Sequence, residues 1–129
     1  MRRQKVLCVS FDMAVSDIRR AALNEAGYAV TTTTDVKEAL NFLSREKFDL
    51  VIVGHRFATA DKYVLTVEAE EKANTAVLLV CGFSAEKDIP ATGRVYALEG
   101  TAGLLTAAAE LLSGKVAGGE RPTALPRVA

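Results

Sequence analysis

DLVIVGHRF, residues 49–57, decides how the rest of the chain is read. DLVIV (Asp49 to Val53) has an apolar, partly β-branched core without alternation, the pattern of a strand buried on both faces. It runs into Gly54, His55 and Arg56, so a buried strand opens onto a glycine and two basic side chains. In α/β proteins ligands and reactive groups gather where such strands end. Here a residue with no side chain holds that place. It is either an unusual working site or an emptied one.

Working outward, KVLCV (5–9) is a second run suited to a strand buried on both faces. After it comes a helical pattern with Val15, Ile18, Ala22 and Ala26 on the inner face, and with Asp17, Arg19, Arg20 and Asn24 facing water. Gly27 stops that helix. YAVTTTT (28–34) reads as an edge strand, less apolar than its neighbours. Asp35 with Glu38 three residues on marks a capped helix start, and Val36, Ala39, Leu40 and Leu43 line its inner face. LVIV (50–53), the most hydrophobic strand, belongs at the centre. Residues 61–73 form a weaker helix, AVLLV (76–80) a fourth strand and RVYAL (94–98) a fifth. Thr101 then caps a last helix with Leu104, Leu105, Ala108, Leu111 and Leu112 inward, closed by Gly114. Strands alternating with amphipathic helices predict a parallel sheet covered on both faces. Between strands four and five, GFSAEKDIPATG (82–93) has Pro90 and Gly93, which leave room for a turn or two of helix.

At 129 residues, half of them hydrophobic and 25% charged, the chain has the composition of one globular domain. Lys plus Arg and Asp plus Glu each number 16, so no net field draws the chain to nucleic acid or anionic lipid. Neither a nucleic-acid nor a membrane partner is expected. Cys8 and Cys81 stand far apart in apolar runs, the usage of small core residues in a reducing compartment. The apolar run VLCV near the start falls short of the roughly 7–15 residues of a secretory signal. A cytoplasmic location is the expectation.

The first half, VLCVSFDMAVSDIRRAALNEAGYAVTTTTDVKEALNFLSREKFDLVIV, resembles the CheY-like receiver domain of bacterial response regulators in element order and spacing. The likeness spans roughly residues 4–113, and Tyr96 falls where that family has a switching aromatic in strand five. It implies a flavodoxin-like (βα)5 doubly wound parallel sheet of order 2-1-3-4-5, here with a shortened fourth helix. The expected organisation is a receiver-like domain over 1–113. Residues 114–129, with glycines, prolines and little apolar periodicity, are expected to be a disordered tail.

The resemblance also implies which positions carry chemistry, and there the sequence departs from it. After strand one, receivers place two adjacent acids that hold Mg²⁺, whereas this chain has Ser10 and Phe11, with Asp12 one position late. The phosphate-accepting aspartate is Gly54, the hydroxyl residue after strand four is Cys81, and the lysine after strand five is Glu99. Glycine offers no nucleophilic oxygen, a hard cation wants carboxylates, and Glu99 would repel developing phosphate charge. The reading is a degenerate pseudo-receiver, not an enzyme, with no catalytic residue, metal or cofactor. It would act as a phosphorylation-independent protein–protein interaction module in two-component or phosphorelay signalling. Partners would be signalling proteins or a second copy of the chain, met through a face that includes Tyr96. Aspartate restored at position 54 is not expected to bring back phosphorylation, because it would face Glu99 without a lysine.

Three residues remain at the crevice: Asp12, His55 and Arg56. His55 is a titratable candidate, and Arg56 or His55 can pair with Asp12 or Glu99 across the loops. Asp12, His55 and Glu99 are also admissible metal ligands, although no spacing motif supports them. Cys81 would need a basic neighbour to act as a nucleophile. The alternative function is a small flavodoxin-like ligand-binding domain or enzyme that uses the same crevice.

Overall fold

The structure, a computed structural model, describes residues 3–114. Its elements run β1 (Lys5–Val9), α1 (Met13–Glu25), β2 (Ala29–Thr33), α2 (Val36–Arg45), β3 (Leu50–Val53), α3 (Thr59–Val67), β4 (Ala76–Cys81), β5 (Gly93–Tyr96) and α4 (Gly100–Ser113). Neighbouring strands pair in parallel in the order β2-β1-β3-β4-β5. This is the flavodoxin-like sheet expected from the sequence, with β3 central and the threonine-rich β2 at an edge. No described helix is long and apolar enough to cross a membrane.

Alternation along the strands divides their side chains between two layers. Leu7, Val9, Val51, Val53, Val77 and Leu79 pack with Ala39 and Leu43 of α2 and Leu65 of α3. Val6, Cys8, Leu50, Ile52, Leu78, Val80 and Val95 pack on the other face with Leu23 of α1 and Leu104, Ala108 and Leu111 of α4. Burying each large aliphatic side chain is worth about 1.5–3 kcal/mol. An exposed ion pair such as Arg20–Asp17 is worth about 0–1 kcal/mol. The two apolar layers therefore hold the sheet.

The helix ends follow their sequence signals. Asp12 Oδ1 accepts from Val15 N at 2.9 Å to start α1, and Gly27 closes it at φ 104°, a conformation open to glycine. Asp35 accepts from Lys37 N at 3.2 Å, while the Thr33 hydroxyl donates to Glu38 and accepts from Asp35 N. The inner face of α2 is the expected one. Gly114 ends α4 in the left-handed region at φ 79°.

Four expectations are corrected. The inner face of α1 is Ser16, Leu23 and part-buried Arg19, whereas Ile18 and Ala26 are exposed. The capping of Asp12 onto Val15 N fixes the helix phase, and Leu23 is the residue that reaches the core under α4. The third helical region covers Thr59 to Lys72, its last part a π-helical turn from Glu68 to Lys72. β5 stops at Tyr96 and a 3₁₀ turn, Ala97–Glu99, follows. α4 then begins at Gly100 without a side-chain cap, so Thr101 lies inside the helix.

No helix forms between β4 and β5. Residues 82–92 are turns, with Ile89 fully buried. Pro90 has no N–H to give a helix, and Arg94 captures carbonyls that a helix would need. Its Nε donates to Ala85 O at 2.7 Å, and Nη2 donates to Glu86 O at 3.1 Å and to Ile89 O. Glu86 sits at φ 50°, a left-handed conformation incompatible with helix. The shortened helix expected here is thus replaced by a braced loop. The expected tail lies, from residue 115 onward, outside the described residues.

Candidate functional site

Parallel pairing brings the carboxyl ends of β1 and β3 together. Gly54 N donates to Val9 O at 2.8 Å and Ser10 N to Thr33 O at 3.1 Å, so Ser10 and Gly54 lie side by side. Ser10 is fully buried, and its hydroxyl lies 3.7 Å from Cys8 Sγ. A Cβ added to Gly54 would stand 3.2 Å from Val9 O, 3.4 Å from Arg19 Nη1 and 3.5 Å from Ser10 Cα. The same Nη1 lies 3.4 Å from Ser10 Oγ and donates to it. A guanidinium therefore occupies the space beside the absent side chain.

Arg19 is the residue the sequence reading placed in water. Ser16, Arg19 and Leu23 follow helical spacing on one face, so the turn that buries Leu23 also carries Arg19 inward. Its charged head reaches the strand ends, where Nη1 meets Ser10. A helical phase drawn through Leu23 rather than Ile18 would have found it.

Around this centre the mouth is built from the residues after β1 and β3. Phe11 is half-exposed and meets Phe57 edge to face, with ring centroids 5.8 Å apart. Arg56 lies over the Phe11 ring at 5.2 Å, and its Nη1 is 3.9 Å from Asp12 Oδ2. The loop-tying pair expected from sequence is thus Arg56 with Asp12. Glu99 takes no part in it: its carboxylate accepts from Tyr96 N at 3.2 Å.

Below His55 lies a pair that the sequence did not disclose. Lys62 of α3 is 3% exposed, and its Nζ donates to Glu86 Oε1 at 2.6 Å and to His55 O at 3.0 Å. Glu86 also accepts from Thr59 Oγ1 at 3.3 Å. A charged residue on a short helix reads from sequence as solvated, and only the loop replacing a helix brings Glu86 to it. His55 Nδ1 is buried without a hydrogen-bond partner among the described residues. Burial lowers the His55 pKa, Arg19, Arg56 and Lys62 lower it further, and Glu86 opposes them. These surroundings disfavour the charged form of His55.

Cys81 is fully buried, and its Sγ faces the carbonyls of Leu79 and Ala85. Burial raises its pKa against the pull of Arg94 and Lys62, with Glu86 adding to the rise. Burial likewise raises Cys8, opposed by Ser10 and Arg19. Neither thiol is an activated nucleophile. Among the described residues no three His, Cys, Asp or Glu side chains form a group able to hold a metal ion. Asp12, His55 and Glu99 are therefore not a ligand set. At the ends of β4 and β5, Phe83 and Leu98 stand almost wholly in solvent and Tyr96 is 42% exposed.

Known structures agree with this architecture. A CheY-like receiver domain protein from Methanospirillum hungatei superposes with a TM-score of 0.79 at 19% identity, covering 92% of this chain and all of that one. The chemotaxis response regulator CheY4 of Vibrio cholerae gives 0.74 at 22% identity, covering 85% of this chain and 99% of its own. The fold is that of a response-regulator receiver. A receiver domain of a Pseudomonas aeruginosa sensor histidine kinase, described with magnesium coordinated in its active-site cleft, gives 0.72 at 18% identity over 87% of this chain and 99% of that one. In sequence, 78 residues are 28% identical to a probable transcriptional regulator, ycf27, of Guillardia theta. That match covers 60% of this chain and spans 31% of the relative's length. No protein-family model matches. The residues of the present crevice do not fit a divalent cation: Ser10 and Phe11 follow β1, and the cation beside Gly54 is Arg19 itself.

Proposed function

We propose that this chain is a degenerate receiver that serves two-component or phosphorelay signalling as a phosphorylation-independent protein–protein interaction module. One observation carries the reading: a guanidinium nitrogen lies 3.4 Å from the point where a Cβ at position 54 would stand. Glycine supplies no oxygen to accept a phosphoryl group, and Arg19 takes up the neighbouring space with a fixed positive charge. The set Ser10, Phe11, Gly54, Cys81 and Glu99 then lacks the nucleophile, the metal carboxylates and the cation that receivers use. No catalytic role, metal or cofactor belongs to this reading. The reduced state of two buried thiols suits a cytoplasmic setting.

The exposed trio Phe83, Tyr96 and Leu98 supports a protein partner, because large apolar side chains at one end of a sheet mark interaction surfaces. In receivers this region is the usual partner face, and a signalling protein or a second copy of the chain would meet it. Zero net charge weighs against nucleic acid.

Incubation with acetyl phosphate and Mg²⁺, followed by intact-mass measurement, tests the first half. Wild type and Gly54→Asp should both stay unmodified. The restored carboxylate would lie beside Arg19, not Glu99 as the sequence suggested, and would be tied up as an ion pair. A phosphorylated wild type would overturn the proposal. For the second half, Phe83→Ser with Leu98→Ser should abolish self-association or capture by a purified signalling partner. Undiminished association would remove this face from the reading.

A further inference from the structure

We propose that the mouth of the crevice binds a small oxyanion, noncovalently, between the guanidinium groups of Arg19 and Arg56. The proposal goes beyond the interaction module and does not depend on it. Charges around the crevice are Arg19, Arg56 and Lys62 against Asp12 and Glu86. Lys62 is satisfied by Glu86, and Arg56 lies near Asp12 at 3.9 Å. Among the described residues, Arg19 is the cation left over.

A guanidinium carries five N–H donors in a planar fork. Arg19 uses one, on the neutral Ser10 hydroxyl, at 3.4 Å. A part-buried cation with so little compensation is costly, and an anion removes that cost. The matching ligands are carboxylate, sulfate or phosphate, whose oxygens accept paired N–H bonds from arginine. A second observation points the same way. His55 Nδ1 is buried and unpartnered in a loop exposed to the field of three cations, and buried polar atoms of this kind call for a partner.

Asp12 does not close the site, because its Oδ1 caps α1 at 2.9 Å and its Oδ2 is engaged toward Arg56 at a long 3.9 Å. That exposed pair and the stacking of Arg56 on the Phe11 ring at 5.2 Å are both weak, so Arg56 can turn toward an anion held over Arg19. The ionic preference of the crevice is thereby the reverse of a metal-binding cleft. An anion ligand would also raise the His55 pKa, by offsetting Arg19, Arg56 and Lys62 and adding to the effect of Glu86.

His55 is the single histidine in the chain, so its ring resonances report on the crevice alone. The untagged full chain is titrated with sodium phosphate, sodium sulfate and sodium acetate at fixed ionic strength, with chloride as the balancing anion. Saturable shifts of the His55 ring and a higher apparent His55 pKa are expected for at least one of the three. The comparison among them separates carboxylate from tetrahedral oxyanion. Arg19→Gln should weaken binding about tenfold or more, as loss of a charge-assisted contact does. Arg56→Gln, at an exposed position that leaves the fold intact, should weaken it by at least about threefold. Arg20→Gln, which removes only a surface pair with Asp17, should bind as wild type does. Linear, unsaturable shifts with all three salts overturn the proposal. So does equal binding by wild type and Arg56→Gln. Covalent phosphate found by mass would bear on the preceding reading and leave this result standing.

Discussion

Lys62→Met tests whether the loop that replaces a helix is held by charge. The substituted side chain keeps the apolar stem but removes an ammonium that is 2.6 Å from Glu86 and 3.0 Å from His55 O. Breaking a buried pair by removing one partner costs about 3–5 kcal/mol, since the other charge is left uncompensated. Glu86 keeps 17% side-chain exposure and the Thr59 hydroxyl, which place the loss near the lower end, about 3 kcal/mol. Domains of this size have about 5–15 kcal/mol in total, so the variant should melt on the order of 10 °C lower. The double variant Lys62→Met with Glu86→Gln removes the stranded charge and should recover at least about 1 kcal/mol of that loss. Urea unfolding of wild type, both single variants and the double variant closes the cycle. If Lys62→Met costs less than about 1 kcal/mol, or the two changes add within about 0.5 kcal/mol, the pair is not what holds the loop.

Gly93→Ala should destabilise by about 1–3 kcal/mol in urea melts, because its new Cβ would come within 3.0 Å of Leu111 Cδ1 in a packed layer. His55 has a folded pKa below the 6.5 of the free side chain, so the unfolded chain takes up its proton first as pH falls. Stability should be full above that value and decline as pH drops toward the folded pKa, and His55→Gln should flatten this slope in denaturation midpoints taken between about pH 5 and 8. Both thiols have raised pKa values and are fully buried, so a disulfide reagent at mildly alkaline pH should label them only as fast as the domain opens. Rapid stoichiometric labelling of the native protein would contradict that.

The sheet was legible because its strands are short apolar runs set between turn signals, and burial on both faces leaves them little alternative. Strand order came through the resemblance, since nothing in a local pattern says which strand lies beside which. Helix faces were harder. In α1, Ile18 looks like a core residue by hydropathy, yet the cap at Asp12 and the reach of Leu23 turn it outward. The loss of the fourth helix was half legible: Pro90 marks a break, but the grip of Arg94 on three carbonyls is a tertiary fact. The crevice divides in the same way. Gly54, Phe11 and Glu99 announce missing groups by identity alone, whereas the arrival of Arg19 depends on a helix phase, and Lys62–Glu86 joins residues 24 apart through a loop with no regular pattern.

The close approach at Gly54 makes two distant positions into a single decision. The arginine head at 19 lies against the β1–β3 junction, next to the room that a side chain at 54 would enter. Any larger residue at 54 starts 3.4 Å from that nitrogen and 3.2 Å from a carbonyl that cannot move without disturbing the sheet. Lineages that carry a side chain at 54 should therefore carry something shorter or differently aimed at 19, and those that keep the glycine are free to keep the arginine. A sequence comparison across relatives would show the two letters changing together, thirty-five residues apart in the chain. A side chain grown at 54 would meet that head first, so the route back to a side chain at 54 begins with residue 19.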